Sequence, residues 1–372
     1  MEFHVVRTEL LGELQLMMGV IERKNTMPIL ANVYIEAQDN QLHLKATDLE
    51  IGILTQCPAQ IVEPGEFTVN AKQLQEMLNT LSDAQVSFSM SEGSMLDLVS
   101  GSAQFSIETM ATMDFPTIPD CDFTNALKLQ NGFFNECINR VLFSISNDPH
   151  KYALTGALMS IQDGEFHMVS TDGHRMSVAS KNIGPEIGDF EAIIPRKTLQ
   201  ELQKSLNAEN PDEEFFLVHK ENRIFFKVGV RVMFSRLVDG KFPDYSKALP
   251  SESEHQFVFE RTELLNIIRR KMVLSSDKSK LVRLSFGNDQ LVVVLKNAER
   301  GESVDKMAIE YGGEALNVGF NVDYLNDFLK NMSNEKVEVN IKDEANQGLF
   351  RGQEEPYDLK YIHVIMPMRL TG

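Results

Sequence analysis

Along the chain, short apolar runs alternate with segments whose apolar residues fall on one helical face, and one such stretch occurs three times. Each copy has an apolar run, a helix of about three turns, a polar turn and a second apolar run. The copies span Phe67 to Met90, Ala192 to Phe216 and Val318 to Ile341. Their apolar helix positions superpose without gaps at i, i+3 and i+7, the stripe that seats a helix on a sheet. These positions are Leu74, Leu199 and Leu325; Met77, Leu202 and Phe328; and Leu81, Leu206 and Met332.

The rest of the chain repeats in the same order. Residues Arg7 to Leu11 (RTELL) are identical to Arg261 to Leu265, and Phe115-Pro116 returns as Phe242-Pro243. A fixed period in a long chain is the signature of repeated structural units. Because strand, helix and strands follow one another twice in each repeat, half a repeat, used six times, is the expected module.

The pattern therefore predicts an α+β protein of three repeated domains. Each domain is expected to contain two helices on one face of antiparallel sheets with about eight short strands. The first helices of the first two repeats are predicted at Arg7–Arg23 and Asn131–Ser146. The predicted domains are 1–122, 123–250 and 251–372, with polar linkers at Cys121–Leu127 and Pro250–Gln256.

The net charge of −18 says something about binding partners only when its distribution along the chain is considered. Spread evenly, it argues against a nucleic-acid partner. The six predicted helices carry slightly more Lys and Arg than Asp and Glu, so the strands and loops hold the acidic excess. If the helices line one surface, that surface can face phosphate while the outside repels it. Charge alone leaves nucleic-acid contact open.

Other classes of protein are disfavoured by what the sequence contains. The apolar runs fall short of the ~18 residues of a membrane span, and Met1 is followed by a strand-like run rather than a secretory signal. The three cysteines, Cys57, Cys121 and Cys137, fit no CxxC pattern. Reduced thiols in a cytoplasmic protein are therefore expected.

Catalytic motifs are missing from the sequence. It has no phosphate-binding loop, dinucleotide fingerprint or nucleophile elbow, and no Cys or His cluster at metal spacing, so no cofactor is expected. Asp172 and His174 form the one pair that a hydrolase or nuclease could use, but no third group is in evidence to orient the base. The pattern instead favours a tight Asp-Gly turn followed by exposed polar residues. Asp48 and Glu50 occupy the matching place in the first repeat and are expected to solvate a turn.

The apolar, Met-rich end of the chain, Tyr361 to Leu370, has two interpretations. It is either a strand buried in a core or part of a surface groove that accepts apolar side chains. The pattern favours the core strand for the first half and leaves both interpretations open for Met366 to Leu370.

Five motifs, in one register over the whole chain, resemble the bacterial DNA polymerase III beta subunit, the sliding clamp. They are ATDLE at Ala46–Glu50, TDGHRM at Thr171–Met176, FSRLVDGKFPDY at Phe234–Tyr245, FNVDYL at Phe320–Leu325 and MPMRL at Met366–Leu370. The resemblance implies a head-to-tail homodimer that closes into a six-domain ring around double-stranded DNA, without sequence preference. It also implies a processivity factor with no chemistry of its own.

The family binds its partners in a groove between the second and third repeats. The implied partners are the DNA polymerase III alpha subunit, the clamp-loader delta subunit, and other polymerases and repair proteins that bear clamp-binding peptides. The matching wall residues are Leu154, Thr171, Gly173, His174, Arg175, Met176, Pro243, Asn321, Tyr324, Val364, Met366, Pro367, Met368, Arg369 and Leu370. Met176 and Ala248 replace a commoner leucine and valine, and Thr371-Gly372 extends past the usual end.

The resemblance also implies two further surfaces. At the subunit contact, Phe105 and Ile107 are expected to face Val273 and Leu274, with Lys72 pairing with Glu299 or Glu302. The residues expected to face DNA are Lys24, Arg140, Lys151, Tyr152, Arg196, Lys197, Lys204 and Lys278.

Overall fold

A computed structural model describes residues 1–21, 27–91, 94–185, 188–249 and 254–370. Within these ranges the chain forms six α-helices, two in each repeat. They are α1 Arg7–Met17, α2 Ala71–Thr80, α3 Asn131–Val141, α4 Arg196–Asn207, α5 Arg261–Leu274 and α6 Val322–Asn331. None of the helices in the described ranges is long and apolar enough to span a membrane.

Each repeat also contributes eight strands. The first has β1 Glu2–Val6, β2 Asn32–Gln38, β3 Gln41–Thr47, β4 Ile51–Glu63, β5 Gly65–Asn70, β6 Gln85–Ser91, β7 Met95–Ser100 and β8 Ala103–Glu108. The second has β9 Leu127–Gln130, β10 Gly156–Gln162, β11 Glu165–Thr171, β12 Arg175–Asn182, β13 Phe190–Pro195, β14 Glu214–Lys220, β15 Arg223–Val228 and β16 Arg231–Arg236. The third has β17 His255–Glu260, β18 Leu281–Gly287, β19 Gln290–Asn297, β20 Gly301–Ala308, β21 Leu316–Asn321, β22 Lys336–Ile341, β23 Gly348–Gly352 and β24 Lys360–Ile365. Each repeat is strand, helix and three strands, taken twice, which confirms the predicted half-repeat module.

The second helix of each repeat begins where the sequence pattern places it. Asn70 caps α2 by accepting the Gln73 N–H at 3.0 Å, and Asn321 caps α6 by accepting the Asp323 N–H at 2.9 Å. A capping side chain satisfies one of the four backbone donors that a helix start leaves unpaired. The shared apolar stripe is buried as predicted, except for Met77, which is only partly covered.

Two helices end earlier than predicted. α1 stops at Met17 rather than Arg23, and the last two predicted residues, 22 and 23, lie outside the described ranges. Gly19, just beyond the helix, passes so close to Glu201 that an added Cβ would lie 2.0 Å from the carboxylate. The α3 helix stops at Val141, and residues 142–144 continue as a 3-10 turn.

The chain divides into two compact units. The first comprises residues 1–132 and 197–237, and it holds a 12-stranded antiparallel sheet. Its main path is β8-β7-β6-β1-β4-β16-β15-β14-β9, with β2, β3 and β5 off this path. The long strand β4 has two partners along one edge, because Ile51 to Leu54 pair with β16 and Ala59 to Glu63 pair with β1. Phe3 and Phe88 stack at 4.8 Å in its core.

The second unit comprises residues 133–196 and 238–372. Its eight-stranded sheet runs β13-β10-β11-β12-β24-β23-β22-β17, and its four-stranded sheet runs β20-β19-β18-β21. Phe257 stacks on Phe286 at 3.9 Å in its core. The two units share one rule of strand pairing. The last strand of a repeat pairs antiparallel with the fourth strand of the preceding repeat, as β16 does with β4 and β24 with β12.

Candidate binding groove and strand edges

The turn between β11 and β12 is built from its own side chains. Thr171 Oγ1 donates to the Arg175 carbonyl at 2.6 Å and accepts the Gly173 N–H at 3.0 Å. Asp172 Oδ1 accepts the N–H groups of His174 and Arg175 at 2.9 and 3.1 Å. Gly173 has a φ of +91°, which favours glycine. Asp172 is therefore engaged by the backbone, as the turn interpretation predicts.

Arg175 ties this turn to two other elements of the second unit. Its Nε donates to Asp172 at 3.0 Å, its Nη1 to Asp327 of α6 at 2.7 Å, and its Nη2 to the Phe143 carbonyl at 2.6 Å. The guanidinium also lies 4.4 Å from the ring centroid of Tyr324. A planar fork with several donors can hold three acceptors at once. Arg175 thus fixes the turn, the start of α6 and the segment after α3 as one wall.

Beside this wall lies an apolar floor. It consists of buried side chains from the second repeat and from β24: Leu158, Val169, Met176, Val178, Ile193, Phe242 and Val364. Partly buried residues pack against it, namely Ala153, Leu154, Val238, Tyr245, Leu249 and Ile362. Met176 and Val178 share one face of β12, because side chains two apart on a strand point the same way, and Val169 of β11 pairs with Val178.

The last described residues form the opposite rim. Tyr361, His363, Val364 and Ile365 of β24 are buried, so the first half of the apolar C-terminal stretch is a core strand, as the pattern favours. Beyond it the chain leaves the core. The Met366 N–H donates to the His174 carbonyl at 2.9 Å, and the Met368 N–H donates to the Gly319 carbonyl at 2.8 Å.

The side chains of that rim stay accessible. Met366 and Met368 are 48% and 37% exposed, so the second half of the C-terminal stretch is not a core strand, which supports the surface-groove interpretation. Gly319 permits the close approach, because an added Cβ would lie 2.7 Å from the Met368 carbonyl oxygen. Thr371 and Gly372 lie outside the described residues.

The predicted wall residues are thus brought together within one unit. Leu154, Met176 and Val364 belong to the floor, Thr171 to Arg175 to the turn, and Asn321 and Tyr324 to the start of α6. Pro243 follows floor residue Phe242. The sequence reasoning missed Leu158, Val169, Val178, Ile193, Phe242 and Asp327. A signal for Val169 and Val178 was present, because each lies two residues from a predicted wall residue on the same strand.

One residue expected to face DNA does not. Arg140 is fully buried, and its guanidinium lies 2.8 Å from Glu136 and 2.7 Å from Glu355. It also donates to the Asn331 carbonyl at 3.0 Å. Burial raises the pKa of the Glu355 carboxyl, although the charge of Arg140 opposes that shift. The prediction that Arg140 faces DNA is wrong, because its guanidinium is buried and paired with Glu136 and Glu355 inside the second unit.

Four other basic residues expected to face DNA have hydrogen-bond or ion-pair partners within the chain. Lys197 Nζ lies 2.5 Å from Asp48, and Lys204 Nζ lies 2.6 Å from Glu201. Lys151 donates to the Asp172 carbonyl at 2.7 Å. Arg196 donates to the Ile145 carbonyl, and burial followed by the nearby charge of Arg175 lowers its pKa.

Two further residues of this set are open to solvent, and one is not described. Tyr152 is 58% exposed and Lys278 is also exposed. Lys24 lies outside the described residues. Apart from buried Arg140, neutral Tyr152 and Lys24, five basic side chains of the set lie at or near the surface. They are Lys151, Arg196, Lys197, Lys204 and Lys278.

Two of the strands that end sheets are β8 and β20. β8 pairs with β7, and β20 pairs with β19; within the described ranges, neither is paired on its other side. Near β20, Val273 and Val304 are 74% and 52% exposed. The charged residues expected at a subunit contact have intrachain neighbours here. Lys72 lies 3.5 Å from Glu76, and Glu302 lies 3.2 Å from Lys296.

Comparison with known proteins decides the family. Family models of the N-terminal, central and C-terminal domains of the DNA polymerase III beta subunit match residues 1–119, 128–244 and 246–369, respectively. The chain belongs to the DNA polymerase III beta subunit family. The beta sliding clamps of Pseudomonas putida and Vibrio cholerae are 34% and 30% identical to it, with all of each chain covered.

Solved structures of beta subunits have the same fold. A sliding clamp from Pseudomonas aeruginosa bound to griselimycin superposes with a TM-score of 0.91 at 32% identity. One from Bartonella birtlesii, also bound to griselimycin, gives 0.92 at 29% identity. Both superpositions cover 100% of this chain and of the relative.

Membership of the beta subunit family confirms the predicted fold of three repeated clamp domains and the role of a DNA sliding clamp and processivity factor. Sliding clamps of this family form ring dimers that encircle DNA and bind polymerases and partner peptides. The hydrolase alternative finds no support. In the described ranges, His, Cys, Asp and Glu side chains form no group able to hold a metal ion.

Proposed function

We propose that this chain closes head to tail with a second copy around duplex DNA in the bacterial cytoplasm, and holds replication and repair proteins through the groove. The strand-pairing rule carries this proposal. Within the chain, β16 completes the edge of β4, and β24 completes the edge of β12. By the same rule, β8, the last strand of the first repeat, would pair with β20, the fourth strand of the third repeat. Within the described ranges of one chain, β8 and β20 are each paired on one side alone, so the β20 that completes β8 comes from a second copy.

The repeats also give a register for that contact. Phe105 pairs with Leu98 as Met233 pairs with Phe226 and His363 with Phe350. Phe105, Met233 and His363 are therefore equivalent positions. Met233 lies opposite Ile53 and His363 lies opposite Ser177.

The residue of β20 equivalent to Ile53 and Ser177 is Ser303, judged by the pairing of β19 with β20. We therefore expect Phe105 to lie opposite Ser303 of the partner subunit, and Ile107 opposite Gly301 of the partner subunit. Exposed Val273 and its neighbour Leu274 on α5 would then be covered by the apolar side chains of β8. The ion pairs of Lys72 with Glu299 or Glu302 would add only ~0–1 kcal/mol each, as surface pairs do.

The groove is proposed as the docking site for partner peptides. An extended peptide with apolar anchors would place them on the floor around Met176 and Val364 and against Met366 and Met368. Flexible methionine side chains adapt to anchors of different shape. The polar turn Thr171 to Arg175 lies at one rim.

The proposed DNA contacts are loose. Lys24, Lys151, Tyr152, Arg196, Lys197, Lys204 and Lys278 remain in the proposed set, and Arg140 is removed from it. Phosphate contacts without base readout carry no sequence information, which is what sliding requires. The domain boundaries 1–122, 123–250 and 251–372 are also a proposal. The family ranges 1–119, 128–244 and 246–369 support them to within a few residues.

Two experiments test this function. Sedimentation over a concentration series should give a species of twice the 42.1 kDa chain. Loaded onto nicked circular plasmid with a clamp loader, the protein should remain bound through gel filtration in salt and leave once the plasmid is linearised. A strictly monomeric protein, or equal loss from circular and linear DNA, would overturn the proposal.

A further inference from the structure

A second cleft lies in the third repeat, away from the groove. It has a volume of about 730 Å³ and lies between strand β17 and the end of β20. Its lining is Gln256, Phe257, Val258, Phe259, Glu260, Glu263, Met307, Ala308, Ile309, Glu310 and Lys336. β17 ends the eight-stranded sheet and β20 ends the four-stranded sheet, so the cleft runs between two strand edges.

In the first repeat, the equivalent space is filled by the chain itself. β4 runs on to Glu63 and pairs antiparallel with β1, so that Phe3 lies opposite Ile61 and Val5 opposite Ala59. Phe257 is the counterpart of Phe3, since each lies four residues before an identical Arg-Thr-Glu-Leu-Leu segment. An extended antiparallel strand therefore already occupies this position once in the molecule.

In the third repeat, the chain turns away from that position. β20 ends at Ala308, and the Ile309 N–H then donates to the Asp289 carbonyl at 3.0 Å. The Tyr311 N–H donates to the Asp289 carboxylate at 3.1 Å. The backbone of the segment thus bonds to the turn between β18 and β19, while the Tyr311 side chain reaches β17 and places its hydroxyl 3.2 Å from His255 Nδ1. Within the described ranges, β17 pairs only with β22, which leaves one backbone edge along the cleft.

The walls of the cleft define the chemistry of an occupant. Phe257, Phe259 and Met307 form an apolar base, and Val258, on the opposite face of β17, is 44% exposed. Three carboxylates, Glu260, Glu263 and Glu310, line the cleft, against one ammonium, Lys336, which lies 3.6 Å from Glu260. The rim is therefore acidic and favours a basic occupant.

We propose that this cleft binds an extended, basic segment of another protein, which adds to β17 as an antiparallel strand. Its small apolar side chains would point to Phe257 and Met307, and its Lys or Arg side chains would lie at the acidic rim. Strand addition to an exposed edge gives affinity through main-chain hydrogen bonds and specificity through alternate side chains. The proposed subunit contact uses the Gly301 to Asp305 half of β20, so a second copy does not compete for the cleft.

The test uses the full-length protein with ¹³C-methyl methionine and a capped hexapeptide, Pro-Ala-Lys-Ile-Lys-Gln. The peptide is the chain's own Pro58 to Glu63 with lysine for Gln60 and Val62 and glutamine for Glu63. Titration should shift the methyl signal of Met307 in a saturable way and leave those of Met366 and Met368 in the groove unchanged. Methylating the backbone nitrogens of the peptide that face β17 should abolish the shift.

A matched pair of variants tests the charge argument. Glu310→Lys should weaken binding of the hexapeptide about tenfold, whereas Glu344→Lys, another exposed carboxylate of the third repeat, should leave it unchanged. No saturable shift at Met307, a shift at the groove methionines instead, or equal binding of the N-methylated peptide would overturn the proposal. So would dissociation of the dimer by the peptide in sedimentation. Retention on circular DNA is measured separately, so failure here leaves the proposed clamp function standing.

Discussion

The molecule contains two seams built on the same plan, and only one of them carries the proposed groove. We call the pairing of β4 with β16 the first seam and that of β12 with β24 the second seam. The turn before β4 makes the hydrogen bonds of the turn before β12. Thr47 Oγ1 donates to the Ile51 carbonyl at 2.8 Å and accepts the Leu49 N–H, and Asp48 Oδ1 accepts the N–H groups of Glu50 and Ile51.

The two seams differ in the side chains at matching positions. Gly52 stands where the second seam has Met176, and Phe234 stands where it has Val364. The Phe234 ring fills the space over Gly52, because an added Cβ would lie 2.0 Å from it. Beyond the ring, Arg236 takes the place of Met366 and lies 3.0 Å from Glu50. At these positions the first seam thus has an aromatic ring and an exposed ion pair, whereas the second seam has the apolar side chains of Met176, Val364 and Met366.

Arg175, whose side chain is 10% exposed, has no counterpart in the first seam, where Ile51 stands. A similar turn is therefore not enough for a binding site. The site also needs a small residue in place of the filling ring and a side chain that holds the wall open. Each difference can be tested by substitution at one seam, with the other as its control.

The largest effect is expected from Arg175→Ala. The substitution leaves Asp172 and Asp327 without their shared cation and the Phe143 carbonyl without its donor. We expect the free energy of unfolding to fall by about 3 kcal/mol, as when one partner of a buried ion pair is removed. Peptide affinity should fall with it, because the wall loses its fixed position. Denaturant titration and peptide anisotropy measure the two quantities.

Two controls sharpen this result. Arg175→Lys should not restore the wall, since one ammonium cannot hold three acceptors in a plane. Arg236→Ala in the first seam removes an exposed ion pair and should cost less than about 1 kcal/mol. Equal losses at the two seams would contradict the role assigned to Arg175.

A chain that ends at Ile365 tests the open rim of the second seam. Removing Met366 to Leu370 deletes the two exposed methionines and leaves β24 intact. We expect peptide affinity to fall at least 30-fold, the loss corresponding to about 2 kcal/mol for a dominant contact. Polymerase stimulation should disappear while sedimentation still gives a dimer. Stimulation that survives the truncation would show that the groove assignment is wrong.

A double-mutant cycle tests the filled seam. Gly52→Ala should destabilise the protein by about 1–3 kcal/mol, because the new methyl group meets the Phe234 ring. In a Phe234→Val background the same change should cost markedly less, since the ring is gone. The coupling between the two sites, measured by denaturation of all four proteins, should exceed about 0.5 kcal/mol. Additive effects would mean that Phe234 does not fill the space over Gly52.

Local periodicity was enough to predict the repeated architecture. The repeat, the six helices and the eight strands per repeat were visible, because apolar spacing sets both helix and strand faces. Arg140 was misassigned because its position on a helix says nothing about Glu355, which lies 215 residues away in the chain. The filling of Gly52 by Phe234 was missed for the same reason. Contacts between repeats depend on how strands pair, and one residue's own neighbours do not encode that.

The smallest expected effect concerns a buried histidine that only the second seam contains. His363 is fully buried where the first seam has Met233; its Nδ1 lies 2.9 Å from Ser177 Oγ, and its ring stacks on Phe328. Burial, followed by the charge of Arg175, holds the pKa of His363 well below its usual value of 6.5. Below pH 6.5 the unfolded chain therefore takes up a proton that the folded chain does not, so stability falls as pH falls.

This gives a pH-dependent difference between the seams. From about pH 6.5 to about 5.5, His363 should contribute a loss approaching about 1 kcal/mol, because one proton per molecule changes stability by at most ~1.4 kcal/mol per pH unit. His363→Met, which copies the first seam, should flatten the dependence of unfolding free energy on pH in this range. His174→Gln, at an exposed histidine of the same seam, should leave it unchanged. An unaltered slope in the His363→Met protein would show that protonation of the second seam does not set the acid limit of the fold.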